Sequence, residues 1–305
     1  MSFPDLVQSG IHGQESALPL FLFRTGFGVA CLAKVVLEGF RGYFHLYEPH
    51  TYLYFRLRVR HPRFRRWLPT GRQYRALLVG RAVGAAALAL GVHPKAAAGL
   101  LVVAFAAEVL VYFKYHTCFF LLLASALLLA PPLPTLADLV HWSLGAGSLR
   151  SGIGRIAGLR GDGFSQLLVV TTVTMLYVGA AYRKLNRQFL SGLVVWSVLR
   201  YALEETPRRQ HFDGWYPRRL RNAVRDGSLL RSSVWRGCMV AVLLLEAALP
   251  FLLATGSTGP YAVLAGGAMH LGFAYLFPAT LIPFSLATVS TYVLFLPPGL
   301  MSPAR

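Results

Sequence analysis

Charged residues are scarce in this 305-residue chain: they make up 14% of it, whereas apolar residues make up 55%. Soluble globular domains carry about 25% charged residues. Apolar runs of membrane length also recur from Ala17 to Phe295. The composition therefore excludes an ordinary soluble domain. It predicts a multi-pass integral protein of the cell membrane, with the lipid bilayer as a partner.

Cysteine is scarce as well. Cys31, Cys118 and Cys238 lie in or beside apolar runs and show no CxxC spacing. They are typical of small packing residues, and they do not indicate the redox compartment.

Several chemical motifs are absent from the sequence, namely a nucleotide-binding loop, a nucleophile elbow and a zinc-protease motif. His116 and His270 lie on separate predicted helices, without a carboxylate or cysteine at ligand spacing. No metal is therefore predicted. The sequence also has no internal repeat, so residues 1–305 are predicted to form one integral membrane domain.

The net charge of +18 does not indicate a nucleic-acid partner. The arginines cluster at 56–75 and 207–231, in stretches that connect apolar segments and contain aromatic residues. Such stretches are typical of cytoplasmic loops at a membrane surface, and no nucleic-acid recognition motif accompanies them. We expect no nucleic acid among the partners.

The apolar runs predict an all-α fold, a polytopic transmembrane bundle of about eight helices with interfacial helices. The predicted membrane helices cover 17–36, 76–92, 96–113, 117–129, 164–182, 239–254, 261–277 and 281–295. The first is expected to be a retained helix, since no basic segment or small-residue cleavage site precedes it. A basic, aromatic stretch at 38–75 and a short apolar segment at 190–203 are predicted at the interface.

Ionisable residues occur inside or beside these apolar runs, where a charged group costs roughly 2.5 to 3.5 kcal/mol at a helix centre. They are Arg24, Lys34, Arg81, Glu108, His116, Lys184, Glu246 and His270. Because so many polar groups are unusual in a purely structural bundle, we expect an interior polar site.

Some of these residues have a structural alternative. Lys34 and Glu38 stand four apart and can pair on one helix. Arg81 and Glu108 can pair between neighbouring helices and so fix their register. His116 begins an apolar segment, so a capping or interfacial role and a functional role both stay open.

Lys184 is the leading catalytic candidate. The segment from Met175 to Gly192 runs from an apolar helix directly into Arg183 and Lys184. Hydrocarbon does not solvate a charge, so a lysine at such a place snorkels, pairs or takes part in chemistry.

The chain resembles the HTTM membrane domain and, within that superfamily, the vitamin K-dependent gamma-carboxylases. The most specific segment is LYVGAAYRKLNRQFLSG (176–192), similar to the family's pattern of tyrosine, small residues, lysine, leucine, an aromatic residue and glycine. The other similar segments are LFLFRTGFGVACL (20–32), YHTCFFLLLASALLLAPP (115–132), LLLEAALPFLL (243–253) and AMHLGFAYLFPATLIPFSLATVSTYVLFLPP (268–298).

This resemblance implies two catalytic residues. Lys184 corresponds to the lysine that deprotonates the reduced quinone, and His116 to the histidine that assists carboxylation. Burial and the neighbouring Arg183 are expected to leave the amine of Lys184 as the free base at neutral pH. Oxygenation of the quinone anion would then give an alkoxide basic enough to remove a glutamate γ proton where water is excluded.

The resemblance also implies a binding site and its cofactors. The residues implied to line the quinone site are Tyr115, Arg24, His270 and Glu246. The implied cofactor is reduced vitamin K or menaquinol, a lipophilic quinone, with O₂ and CO₂ as co-substrates.

Two positions depart from the carboxylase pattern. Tyr115 stands where the carboxylases carry asparagine, and Phe189 where they usually carry tryptophan, so quinone contacts are expected to differ. The carboxylases continue into a large soluble domain, whereas this sequence ends at Arg305. We therefore expect a small lipophilic substrate ahead of a protein glutamate, with a peptide substrate left open.

The sequence thus predicts a membrane-embedded, carboxylase-like lyase or quinol-oxidising enzyme. The alternative is a non-catalytic transporter or accessory protein whose intramembrane charges hold helices together or conduct a substrate. The absence of repeated halves argues against a transporter. A maturation partner for a secreted peptide or a biosynthetic pathway also stays open.

Overall fold

The computed structural model describes residues 16–40, 71–111, 115–161, 163–209, 216–255 and 257–296. These ranges contain fourteen α-helices, one 3₁₀ helix and no β-strand. The α-helices are α1 (Leu18–Phe40), α2 (Gly71–Leu90), α3 (Pro94–Val111), α4 (Tyr115–Leu129), α5 (Leu136–Gly145), α6 (Leu149–Gly158), α7 (Gly163–Lys184), α8 (Arg187–Leu190), α9 (Leu193–Arg209), α10 (Arg218–Arg225), α11 (Ser228–Arg231), α12 (Ser233–Ala254), α13 (Gly259–Leu276) and α14 (Pro278–Thr291). The 3₁₀ helix Tyr292–Phe295 follows α14 directly. The all-α class is confirmed.

The predicted membrane segments coincide with helices, but the predicted number of about eight membrane-spanning helices is not supported. Each of the eight segments overlaps one α-helix, although residues 112 and 113 lie outside the described residues. Within the described residues, three helices are long and apolar enough to cross a membrane, namely Leu18–Leu37 within α1, Gly163–Lys184 and Ser233–Ala254. Tyr115–Leu129 and Leu281–Phe295 are shorter apolar helices.

The helix count also differs because short helices connect the long ones. The connecting helices are α5, α6 and α8 to α11. Apart from α9, they are not apolar runs, so a criterion based on apolar length does not detect them. The predicted interfacial segment 190–203 falls mainly on α9, whose Leu199 and Leu203 are buried against Tyr216 and Val224. The predicted interfacial stretch 38–75 lies mostly outside the described residues, as do 210–215 of the second arginine-rich stretch.

Eight helices pack in a closed circuit. Successive contacts run from α1 to α2, α3, α4, α7, α12, α13 and α14, and α14 packs against α1. The core lies inside this circuit, where Phe27, Phe105 and Phe120 are fully buried and pack with ring centroids 5.4 to 5.6 Å apart. The 3₁₀ helix contacts α1, α7 and α12.

Two glycines allow α1 to approach both of its neighbours closely. A Cβ added at Gly28 would lie 2.6 Å from the backbone nitrogen of Ala89 on α2. One added at Gly26 would lie 2.6 Å from Cβ of Ser290 on α14. Small residues at such contacts bring helix backbones together, which is a common means of helix association in membranes.

Candidate functional site

Lys184 lies at the carboxyl end of α7 because the chain turns directly after it. The side chain of Asn186 accepts a hydrogen bond from the backbone N–H of Phe189 at 2.9 Å and caps the short helix α8. Asparagine favours this capping position, so a new helix begins where α7 stops. The turn positions the buried ring of Phe189 over the end of α7.

The amine of Lys184 is paired with a carboxylate. Its Nζ donates to Oε1 of Glu246, which lies within α12 and is 3% exposed. The side chain of Lys184 is 23% exposed, so the pair lies at the edge of the bundle with the carboxylate on the inner side. The second carboxylate oxygen, Oε2, is buried and has no hydrogen-bond partner among the described residues.

Two aromatic rings complete the surroundings of this amine. Nζ lies 5.4 Å from the ring centre of Phe189 and 5.3 Å from that of Phe273. Rings at this distance attract a cation through their quadrupoles. The sequence reasoning considered only Arg183 beside the amine, whereas the guanidinium of Arg183 lies over the ring of Tyr115 at 4.5 Å. The amine was predicted to be a free base beside Arg183. In the structure it contacts one carboxylate and two aromatic rings instead.

A buried chain of hydroxyl and imidazole groups lies next to this pair. The hydroxyl of Tyr177 is hydrogen-bonded to the hydroxyl of Tyr292 and, at 2.8 Å, to Nε2 of His270. Nδ1 of His270 lies 3.2 Å from Oγ of Ser285. The members come from α7, α13, α14 and the 3₁₀ helix, so the closed helix circuit is what brings them together.

The ion pair and the hydroxyl chain lie side by side. The 3₁₀ helix that carries Tyr292 contacts α12, which carries Glu246, and Nζ of Lys184 lies 5.3 Å from the ring centre of Phe273. Ring contacts join the two groups as well, because the ring of Phe273 lies 5.6 Å from that of His270. Together they form a polar site with aromatic walls.

His116 and Tyr115 reach this site from the first turn of α4. The ring of His116 lies 4.5 Å from that of Phe284, which lies 5.8 Å from that of His270. The hydroxyl of Tyr115 donates to the backbone carbonyl of Leu176 on α7 at 3.3 Å. The described contacts therefore connect His116 to Lys184 through aromatic rings and His270 rather than directly.

Arg24 is not brought to the site. Its guanidinium lies 3.4 Å from the carbonyl oxygen of Leu133 and 5.1 Å from the ring centre of Phe21. The beginnings of α1 and α7 are neighbours, since the side chain of Gln166 donates to the carbonyl of Ser16. The 22 residues of α7 rise about 30 Å towards Lys184. Arg24 thus lies near the opposite end of the bundle from Lys184.

A second buried polar cluster surrounds Glu108. Its Oε2 accepts from Arg81 at 2.7 Å, and its Oε1 accepts from Lys34 at 3.3 Å and from Thr117 at 3.0 Å. The predicted pairing of Arg81 with Glu108 is confirmed. The side chain of Glu38, the predicted partner of Lys34, lies outside the described residues. Four helices, α1 to α4, meet at this one carboxylate.

Three polar members of the site were missed by sequence reasoning, namely Tyr177, Ser285 and Tyr292. A signal for the two tyrosines was present. Membrane tyrosines are enriched at the interfaces, and a buried tyrosine hydroxyl needs a hydrogen-bond partner. Tyr177 lies inside an apolar run and Tyr292 follows another, each about seven residues from a second polar residue, Lys184 and Ser285 respectively.

The arrangement can bind an aromatic ring and hold or move protons beside it. It offers a carboxylate oxygen without a donor, an amine, and a chain of exchangeable hydrogens. Among the described residues, no three His, Cys, Asp or Glu side chains come together as a candidate metal site. Comparison of the chain with known protein families, curated proteins and solved structures found no match.

Proposed function

We propose that the protein is a multi-pass membrane enzyme, similar to the vitamin K-dependent carboxylases, that oxidises a reduced quinone with O₂. The oxidation would generate the base for carboxylation, or a related proton abstraction, on a second substrate. The observation that carries the proposal is the Lys184–Glu246 pair, which lies between aromatic rings and beside a buried hydroxyl chain. Reduced menaquinone and vitamin K are lipophilic aromatic diols, and these groups suit both their rings and their hydroxyls.

The proposed reaction balances without another reductant or oxidant. The quinol and O₂ give a quinone epoxide and water: one oxygen atom forms the epoxide, and the other leaves with the two quinol hydrogens. The alkoxide formed on the way removes a proton from a C–H bond of the second substrate. The resulting carbanion adds to CO₂ and forms a carboxylate.

Lys184 and Glu246 accept the first quinol proton as a unit. The amine of Lys184 takes up the proton, and the Glu246 carboxylate, which accepts from the amine through Oε1, stabilises the ammonium that forms. Oε2 stays available to accept from the quinol hydroxyl. A proton acceptor has to lie within hydrogen-bonding reach of the proton that it removes. His116, across the ring of Phe284, is positioned to stabilise an oxyanion or to orient the second substrate.

The test is epoxide formation by the purified protein. The chain is reconstituted in nanodiscs, supplied with menaquinol or reduced vitamin K and then with O₂, and the quinone products are resolved by mass spectrometry. We expect epoxide from the wild type and none from Lys184→Ala. Lys184→Arg keeps a cation opposite Glu246 but is not a base, so it should stay folded and be inactive.

Arg187→Ala is the matched control, because this exposed residue lies in the adjacent short helix and bears none of the contacts described above. Its epoxide yield should equal that of the wild type. A wild-type protein that forms no epoxide, or a Lys184→Arg variant with full activity, would refute the proposal.

The second candidate is a non-catalytic accessory protein. It is favoured by the Glu108 cluster, where three buried charges and one hydroxyl from four helices converge and hold the bundle together. If the Lys184–Glu246 pair has the same role, Lys184→Ala should lower thermal stability in a protein that never forms epoxide. A transporter would instead be identified by solute uptake into sealed vesicles.

A further inference from the structure

Ser285 determines the direction of hydrogen bonding in the buried chain. Its Oγ lies 3.2 Å from Nδ1 of His270 and 3.2 Å from the backbone carbonyl oxygen of the same residue. A carbonyl oxygen only accepts, and a serine hydroxyl has a single proton. Both hydrogen bonds exist together only if Ser285 donates to the carbonyl and accepts from Nδ1–H.

The position of this proton also determines which of the other groups in the hydroxyl chain donate. A neutral imidazole with its proton on Nδ1 has an acceptor at Nε2. The hydroxyl of Tyr177 must then donate to Nε2, so its oxygen accepts from the hydroxyl of Tyr292. The proton of Tyr292 is thereby used, and the phenol oxygen presents only acceptor capacity to anything beyond it.

A second acceptor lies nearby. Oε2 of Glu246 is buried and has no donor among the described residues. The 3₁₀ helix that carries Tyr292 contacts α12, the helix that carries Glu246. A buried acceptor without a donor is unfavourable, and a ligand carrying a donor would recover the lost hydrogen bond. The rings of Phe273 and Phe284, 5.6 and 5.8 Å from that of His270, favour an aromatic carrier of that donor.

We propose that Tyr292 and Glu246 form an acceptor pair that selects aromatic alcohols over ethers and ketones of the same shape. Tyr292 and Glu246 are the specificity-determining residues. Tyr177, His270 and Ser285 are positioning residues, because they act by orienting the hydroxyl of Tyr292. The inference rests on the proposed function for the location of the site, but it requires no turnover.

The test compares two probes that differ only in the donor. Binding of 1-naphthol and of 1-methoxynaphthalene to the full chain in nanodiscs is measured by titration, and partition into empty nanodiscs is subtracted. We expect the naphthol to bind at least about tenfold more tightly, the equivalent of one good hydrogen bond to a buried acceptor. The wild type alone gives this result, so it does not depend on a variant that folds.

Two variants locate the selectivity. Tyr292→Phe should reduce the naphthol preference severalfold and leave the binding of the methyl ether unchanged. Ser285→Ala should also reduce it, because the imidazole is then free to reverse the chain, although this residue touches no ligand. Tyr275→Phe is the matched control, since this tyrosine of α13 is exposed, and it should retain the full preference.

Each other result overturns the inference. Equal affinities for the two probes mean that the acceptors do not distinguish an alcohol from its methyl ether. A preference for the ether means that the chain runs the other way and Tyr292 donates. Binding of neither probe means that water alone satisfies the acceptors. A naphthol preference without epoxide formation would support the inference and refute the proposed function. Epoxide formation without a naphthol preference would support the proposed function and refute the inference.

Discussion

The amine of Lys184 and the carboxylate of Glu246 join α7 to α12, two helices that are long and apolar enough to cross a membrane. The two residues are 62 positions apart in the sequence. The carboxylate is on the inner side of this contact and the amine at its edge, so the pair closes the aromatic site at one end. Unfolding measurements test the contribution of this pair to stability, and epoxide formation tests its part in catalysis.

The first prediction concerns the stability contributed by this pair. Lys184→Met leaves the buried carboxylate without its cation, and we expect a loss of about 3 kcal/mol. Glu246→Leu should also destabilise the protein, whereas the double variant should lie close to the wild type, because an apolar pair of similar volume replaces both charges. Thermal unfolding in one detergent, followed by tryptophan fluorescence, measures the cycle. Losses that simply add in the double variant would show that the two groups do not interact.

The second prediction concerns Glu108. Glu108→Gln removes the charge contacted by both Lys34 and Arg81, so we expect a loss of about 3–5 kcal/mol or failure to fold. Thr117→Val is the milder companion change, since it removes one hydroxyl bond to the same carboxylate and should lose about 1 kcal/mol. Melting temperatures compare the two variants. A Glu108→Gln variant as stable as Thr117→Val would contradict the central position of this carboxylate.

The third prediction uses adjacent glycines of α13. A Cβ at Gly266 would lie 2.5 Å from the hydroxyl oxygen of Tyr292 and 2.9 Å from its Cζ, whereas one at Gly267 would meet nothing within 4 Å. Gly266→Ala should therefore displace the phenol from Tyr177 and lower stability by about 1–3 kcal/mol. Gly267→Ala should have little effect or stabilise α13 slightly. Equal melting temperatures for the two variants would place Tyr292 away from Gly266.

The fourth prediction concerns pH and the start of α5. The backbone N–H of Thr135, and then its hydroxyl, donate to Asp138 and hold the pKa of that carboxyl below its usual value. Because the pKa is lower in the folded state, the contribution to stability is present above the unfolded value of about 4 and is lost as pH falls through the folded value. Hydrogen exchange of α5 amides should therefore accelerate in acid.

Two variants check this assignment. Asp138→Asn should make the exchange of α5 independent of pH in that window, after correction for the intrinsic rate. Ser148→Ala removes the cap of the neighbouring helix α6, which has no acid in its first turn. It should weaken α6 by about 1 kcal/mol at every pH. Acid acceleration that persists in Asp138→Asn would assign the effect to another group.

The sequence alone predicted more of the helices than of the site. Apolar runs located the eight helices of the closed circuit, because the length of an apolar segment is a local property. Of the six connecting helices, the interfacial prediction at 190–203 covered most of α9 only, since the residues of the others are mixed and their packing decides their conformation. Among the polar contacts, Arg81 with Glu108 was predicted, because charges buried on successive helices need partners.

The partners of the other polar groups depended on how each helix is rotated in the bundle. Lys34 bonds Glu108, 74 positions away, and Tyr177 bonds His270 and Tyr292, 93 and 115 positions away. Arg24, which the resemblance placed in the quinone site, lies beside the carbonyl of Leu133 instead, between α4 and α5. No spacing in the sequence states which of two polar residues on different helices will face each other.

The amino-acid sequence by itself determined that this protein is helical and apolar, and that polar groups are buried in its helices. Both properties follow from composition and from the length of the runs, which are fixed residue by residue. The tertiary structure alone decided that Glu246 accepts a hydrogen bond from the amine of Lys184 and that Ser285, His270, Tyr177 and Tyr292 meet in one buried chain. Those contacts form only when helices distant in sequence pack at one particular rotation, because a hydrogen bond requires its two atoms to approach within about 3 Å.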